Sequence, residues 1–384
     1  MKPIFVVALG FIFVSACEKK SDKAEATPAA PSASALANVP KGPSADELKL
    51  PHDLGKMPIP EANPMSPEKV ELGRKLFFDA RLSVDGSRSC YSCHLNEDGS
   101  GGKDPIAIGA KEKLLTRHSP ALWNVGYLPR LYWDGRADSL EAQGTAAWAG
   151  GNMGVGKENL EKKAKEIGAL PEYKAAFKAV FPEKGATAET VMQAVSAFER
   201  TLVCDDTAYD RFAKGDKSAL TEPQKRGLEV FMGKAGCVAC HAPPFFSTSF
   251  LGKDGAYFNV GVGYEGKAPE AVDVGRKKVS ESDADMGAFK VPSLRNVSKS
   301  APYFHDGSKK TLEEAVRFMA NGGFKNANLS PLLTDRKLTD AEIGSIVTFL
   351  GALDCTSKIE APAGASAGAS AAAPPPPPAP ATSK

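Results

Sequence analysis

The chain carries two Cys-x-x-Cys-His runs, Cys90-Tyr-Ser-Cys93-His94 and Cys237-Val-Ala-Cys240-His241. Two thiols at this spacing, followed at once by an imidazole, suit covalent attachment of a haem through two thioethers, with the histidine on the iron. A single run reads equally as a redox dithiol or as half of a zinc site. Two runs, far apart and each closed by histidine, favour two c-type haems. A chain built on two such groups has to wrap each flat, apolar macrocycle in short helices and loops. Electrons can then be stored and passed within one molecule, so the function lies in redox chemistry.

The 384 residues suffice for two domains of ordinary size. With 48 basic and 46 acidic residues the net charge is +2, which implies no nucleic-acid partner. Of seven cysteines, four belong to the haem runs, leaving Cys17, Cys204 and Cys355. Lys2 precedes an apolar run from Ile4 to Val14, too short to span a bilayer. Val14-Ser15-Ala16-Cys17 then resembles a bacterial lipobox, so residues 1–17 are expected to be a lipoprotein signal, with Cys17 acylated. An ordinary signal peptide with an incidental cysteine is the plainer alternative. Either places the mature protein in the periplasm, where c-type haem is attached. Glu18 after the cysteine favours the outer membrane. Residues 18–45 read as a flexible tether and residues 357–384, with Pro374 to Pro378, as a disordered tail.

The body between them divides into segments 46–215 and 216–356. Val191, Ala194, Val195, Phe198 and Leu202 share one face of a helix that ends the first. Thr221-Glu-Pro-Gln opens a helix leading into the second haem run, and Thr339-Asp-Ala-Glu342 forms a capping-box signature for the last. No segment alternates as strands would. The expected fold is mostly α, two domains each around one covalently bound haem, with long Gly/Pro-rich loops. Both halves run helix, haem motif, loops, terminal helix, the order of a duplicated unit. Cys204 and Cys355 follow the two terminal helices; in an oxidising compartment they can bridge, or stay as separate buried thiols.

Longer strings carry a family resemblance. They are Arg117-His-Ser-Pro-Ala-Leu-Trp-Asn124, Tyr132-Trp-Asp-Gly-Arg-Ala-Asp-Ser-Leu-Glu-Ala-Gln143, Phe289-Lys-Val-Pro-Ser-Leu-Arg-Asn296, and Ala301-Pro-Tyr-Phe-His-Asp-Gly-Ser308 followed by Thr311-Leu-Glu-Glu-Ala-Val316. Between two haem runs they resemble the bacterial di-haem cytochrome c peroxidase family, which includes MauG-type protein-oxidising enzymes. The resemblance spans nearly all of residues 55–355. It implies two cytochrome c-like domains, an N-terminal haem (Cys90, Cys93, His94) that meets peroxide, and a C-terminal haem (Cys237, Cys240, His241) that relays electrons. The family's axial methionine falls on Met319, with Met286 the other candidate. His305 is read as a motif loop residue, not a ligand. A thioether ligand stabilises ferrous iron, as a relay needs. Trp133 takes the place of the inter-haem bridge. Members often dimerise, accept electrons from a small cytochrome c or copper protein, and bind calcium, here through the Ser300 and Pro302 carbonyls. The calcium asparagine is His118 in this chain, a poor ligand.

Two departures lie at the peroxide site. In Ala107-Ile-Gly-Ala110-Lys111 an alanine stands where many members carry a distal histidine, so the oxidised N-terminal haem is expected to be high-spin, five-coordinate or water-bound. In Gly151-Asn152-Met153-Gly154 an asparagine stands where the acid–base glutamate is usual. Asn152 and Gln143 can hold peroxide by hydrogen bonds, but neither can move its proton. Glu141, the nearest carboxylate in sequence, reads as a solvated helix residue. Hydrogen peroxide reduction is the expected activity. The alternatives are a MauG-like oxidation of a protein side chain and a non-catalytic di-haem electron carrier.

Overall fold

Helices begin where the sequence supplies a hydroxyl cap. In the computed structural model, which describes residues 51–267 and 271–362, Ser66 caps α1 (Pro67–Phe78) and Ser139 caps α2 (Leu140–Ala149). The helices α3 (Leu160–Gly168) and α4 (Pro171–Val180) follow. Thr187, Thr207 and Thr221 then form capping boxes on α5 (Ala188–Glu199), α6 (Ala208–Ala213) and α7 (Glu222–Met232). A short α8 (Lys277–Ser280) precedes α9 (Leu312–Ala320) and α10 (Asp340–Leu350), both boxed, by Thr311 and Thr339. The strands among the described residues, β1 (Tyr257–Phe258) and β2 (Phe289–Lys290), form one antiparallel pair. The mostly α expectation therefore holds. The lipobox, the tether and residues 363–384 of the tail lie outside the described residues.

Two cores sit within one compact unit. The first joins Leu72, Leu76 and Phe77 of α1 to Val191, Ala194, Val195 and Phe198 of α5. The second joins Leu228 and Phe231 of α7 to Ile346, Phe349 and Leu350 of α10. Both pairs cross at a glycine. A methyl at Gly73 would stand 1.8 Å from the Ala194 carbonyl oxygen, and one at Gly227 2.0 Å from that of Ser345. Only glycine lets the backbones meet there.

The repeat extends into the loops. Asn124 and Asn296 both sit in the left-handed region, with φ of 62° and 65°. Their N–H groups donate to Leu202 O and Leu353 O, and their Oδ1 atoms accept from the N–H of Cys204 and Cys355. These cysteines are joined in a buried disulfide, with Cα atoms 5.5 Å apart. Further on, Leu131 pairs with Ala137 as Tyr303 pairs with Lys309. The halves also exchange matching hydrogen bonds: His118 N–H donates to His305 O and Lys290 N–H to Trp133 O, each at 2.7 Å. Aligned this way, His118 and Lys290 are counterparts, as are Trp133 and His305. The packed chain also runs past the boundary at 356. Ile359 is buried in the first core, where Asn96 bonds both its N–H and its carbonyl, so the tail read as disordered from 357 is ordered at its start.

Candidate active site: two cavities sharing one tryptophan

Each Cys-x-x-Cys-His run lies on a single 3₁₀ turn, Tyr91–Cys93 or Cys237–Ala239. Such a turn puts both thiols and the following imidazole on one wall. His94 Nδ1 is 3.1 Å from Ser100 O, and His241 Nδ1 is 3.0 Å from Phe246 O. A carbonyl at Nδ1 fixes the proton there and leaves the Nε2 lone pair free for a metal. Burial holds both imidazoles down to about 4, so they are neutral at neutral pH. The thiols shift the other way. Burial raises all four, Cys237 to about 12, which is the reverse of an activated redox dithiol. Among the described residues no cluster of three or more His, Cys, Asp or Glu could hold a metal ion, so the zinc alternative lacks its remaining ligands. Free thiol pairs beside an unprotonated Nε2 on an apolar wall fit a thioether-linked haem.

The first run opens on a cavity of about 390 Å³ that Cys90, Cys93, His94, Gln143, Asn152 and Trp133 all line. The second opens on a cavity of about 220 Å³ lined by Cys237, Cys240, His241, Met319, His305 and Trp133. Trp133 thus faces both, with its indole N–H donating to His118 O at 2.8 Å. Its ring meets His305 edge-on at 6.5 Å, and Phe289 stacks on His305 at 3.6 Å. Met286 is not in either wall; its carbonyl accepts from Asn259. Ser300 and Pro302 also lie outside both walls.

Met319 has an informative counterpart. It stands on α9 eight residues beyond its cap (311 to 319), and Ala147 stands on α2 eight beyond its own (139 to 147). Each lines its cavity, so a thioether in one half is replaced by a methyl in the other.

The two departures noted in the sequence are spatial neighbours. Ala110 N–H donates to Asn152 O at 3.0 Å, and a methyl on Gly109 would collide with Gly151 O at 2.0 Å. Glu141 is not the solvated residue that sequence position indicated. It binds Arg200 at 2.7 and 3.1 Å and Asn63 at 2.7 Å, and it is absent from the cavity wall. The carboxyl that does line the first cavity is Glu199. It is 7% exposed, and its Oε2 has no hydrogen-bond partner among the described residues. Burial raises it to about 8, partly opposed by Arg200. Sequence reasoning missed it, although its place, four residues past Val195 on the face that Met192 and Val195 turn to the cavity, was a usable signal.

Residues 67–218 match the family model described as di-haem cytochrome c peroxidase. The cytochrome-c peroxidase IdrP1 of Pseudomonas sp. (strain SCT) is 34% identical over 333 residues, covering 80% of this chain and 86% of the relative. MauG, the methylamine utilization protein of Methylorubrum extorquens, is 37% identical over 301 residues, covering 77% and 81%. The solved structure of a MauG-like protein associated with microbial copper homeostasis superposes with a TM-score of 0.74 at 32% identity, covering 82% of this chain and 97% of that one. The chain belongs to the di-haem cytochrome c peroxidase family and is an oxidoreductase of peroxidase type.

Proposed function

We propose that this di-haem peroxidase reduces hydrogen peroxide to two waters, taking two electrons and two protons, with electrons from a small periplasmic cytochrome c or copper protein. One observation carries the division of labour: Trp133 lines both cavities, whereas Met319 lines only the C-terminal one. When bound, each haem supplies an iron that can give one electron. Cys90, Cys93 and His94 would hold the first haem, and Cys237, Cys240, His241 and Met319 the second. Met319 closes the relay side and favours the reduced state. Ala147 leaves the peroxide side open. Gln143 and Asn152 orient peroxide by hydrogen bonds. Glu199, kept protonated by burial, is the carboxyl that can release a proton into this cavity and be reprotonated from solvent. Trp133 shortens the hop between the haems, and its bond to His118 O fixes the indole plane. The reading includes acylation of Cys17 and residence on the periplasmic face of the outer membrane. It also includes calcium on the Ser300 and Pro302 carbonyls, although His118 spends its Nδ1 on Asp104 O.

Asn152 keeps a second reading in view. A site poor in acid–base groups at the iron would turn peroxide over slowly and hold oxidising equivalents for a protein side chain, as a MauG-like enzyme does. Steady-state peroxide consumption with a reduced cytochrome donor separates the two. Rapid donor oxidation, lost in Trp133→Phe while both haem spectra persist, supports the peroxidase. A long-lived oxidised species with little turnover supports protein oxidation, and unchanged transfer in Trp133→Phe removes the relay.

A further inference from the structure

Four lysines and arginines are buried among the described residues: Lys69, Arg200, Lys290 and Arg295. Three are paired. Lys69 donates to Asn63 Oδ1 and Pro64 O, Arg200 to Glu141, and Arg295 to both carboxylate oxygens of Asp210. Lys290 is the exception. It is 8% exposed, and its ammonium enters no ion pair or hydrogen bond among the described residues, so burial lowers it to about 8. An ammonium held in an apolar wall without a counter-charge costs several kcal/mol, a cost that an anion bound in the cavity would offset.

Position indicates which anion. Lys290 sits on β2, its N–H fixed to Trp133 O, and it lines both cavities beside Trp133 and Pro292. Its counterpart in the other half, His118, is a neutral imidazole bonded to Asp104 O. The charge therefore belongs to one half only. The group that fits these cavities carries two carboxylates, on the edge opposite its thioether links. In the C-terminal cavity the other arginine or lysine is Arg336, which stands by the cysteine pair and acts electrostatically on both thiols. That is the wrong edge. The N-terminal cavity has Lys113, Arg117 and Arg136 in its wall besides Lys290.

Resting on the di-haem reading above, we infer that Lys290 is the counter-ion for a carboxylate of the C-terminal haem and holds that haem's reduction potential up. A fixed cation beside the macrocycle disfavours the ferric state, so it complements Met319 in making this haem the donor. Lys290 is a binding and tuning residue, not a proton carrier.

The test uses the holoprotein with both haems attached, counted from the pyridine haemochrome spectrum, and spectroelectrochemical titration of wild type, Lys290→Met and Lys290→Arg. In Lys290→Met the oxidised form of the C-terminal haem gains about tenfold in stability, equivalent to a fall of ~59 mV for a one-electron couple. Lys290→Arg stays near wild type. Loss of the C-terminal haem in Lys290→Met, with retention in Lys290→Arg, supports the same contact by a different readout. Unchanged C-terminal potential in Lys290→Met with both haems in place overturns the inference, whatever the N-terminal haem does. A wild-type protein without two haems would instead overturn the di-haem reading itself.

Discussion

Glu199 gives the sharpest pH test of the peroxide cavity. Its carboxyl titrates near 4.5 in the unfolded chain and is raised to about 8 by burial in the fold. A raised folded value means that the native state keeps a proton the unfolded state releases. The stability it brings is complete below about 4.5 and is lost progressively as pH rises to about 8. At ~1.4 kcal/mol for each tenfold in proton affinity, the whole interval is worth at most ~5 kcal/mol, of which ~3 falls between pH 6 and 9. Glu199→Gln keeps the shape and cannot ionise. Urea unfolding of the holoprotein at the two pH values should show wild type losing ~3 kcal/mol more than the variant. Lys290 and every other group titrating in that range are common to both proteins and cancel. The same variant should lack the limb near pH 8 in peroxide turnover and be slower below it. Parallel stability curves for the two proteins would mean that Glu199 reaches water in the fold, and the assignment of a protonated carboxyl to the cavity would fall.

Asn152→Glu restores an acid beside Ala110 and should raise peroxide turnover by ~10²-fold, the lower range for a placed general acid–base group; unchanged turnover would show that position 152 does not face the reacting oxygens. Ala147→Met puts a thioether where Met319 stands in the other half. It should convert the N-terminal haem to a low-spin spectrum and abolish peroxide binding, and a persistent high-spin signal in electron paramagnetic resonance would break the equivalence. Asp210→Asn leaves Arg295, fully buried, without its counter-charge. Unfolding free energy should drop by ~3–5 kcal/mol, checked by chemical denaturation. Replacing Cys204 and Cys355 together by serine opens a link between residues 151 apart in sequence. The cost approaches ~5 kcal/mol at the chain-entropy limit, and equal denaturation midpoints would refute it.

Local chemistry made much of this legible in sequence. The haem runs, the helix start at Thr221, the capping box at Thr339 and the apolar face of α5 depend on neighbours a few residues away, and the three helical features appear where their patterns indicate. Leftover cysteines after the two terminal helices anticipated the bridge between Cys204 and Cys355. Non-local pairing was harder. Glu141 looks solvated until Arg200, 59 residues away, is folded against it. Glu199 and Lys290 look like ordinary charged positions, because nothing in their neighbourhoods says that no partner will arrive. Whether a titratable group finds a partner is a property of the whole fold, and Glu199 and Lys290 both line the cavities.

The two halves therefore share a frame and differ in what it carries. Paired glycines set the helix crossings, paired asparagines hold the turns, and the disulfide ties the segments that bond to those asparagines. On that frame, equivalent positions hold Ala147 and Met319, Trp133 and His305, His118 and Lys290. The first and last of these exchanges push in one direction. On the proposed reading, a thioether and an unpaired ammonium on the C-terminal side would both favour reduced iron. A methyl and a protonated carboxyl on the N-terminal side leave room and a proton for a small oxidant. The indole at the boundary belongs by sequence to the N-terminal half yet faces both cavities. A symmetric duplicate would have no reason to move electrons either way; on the proposed reading, the direction of transfer would follow from these few substitutions at matched sites.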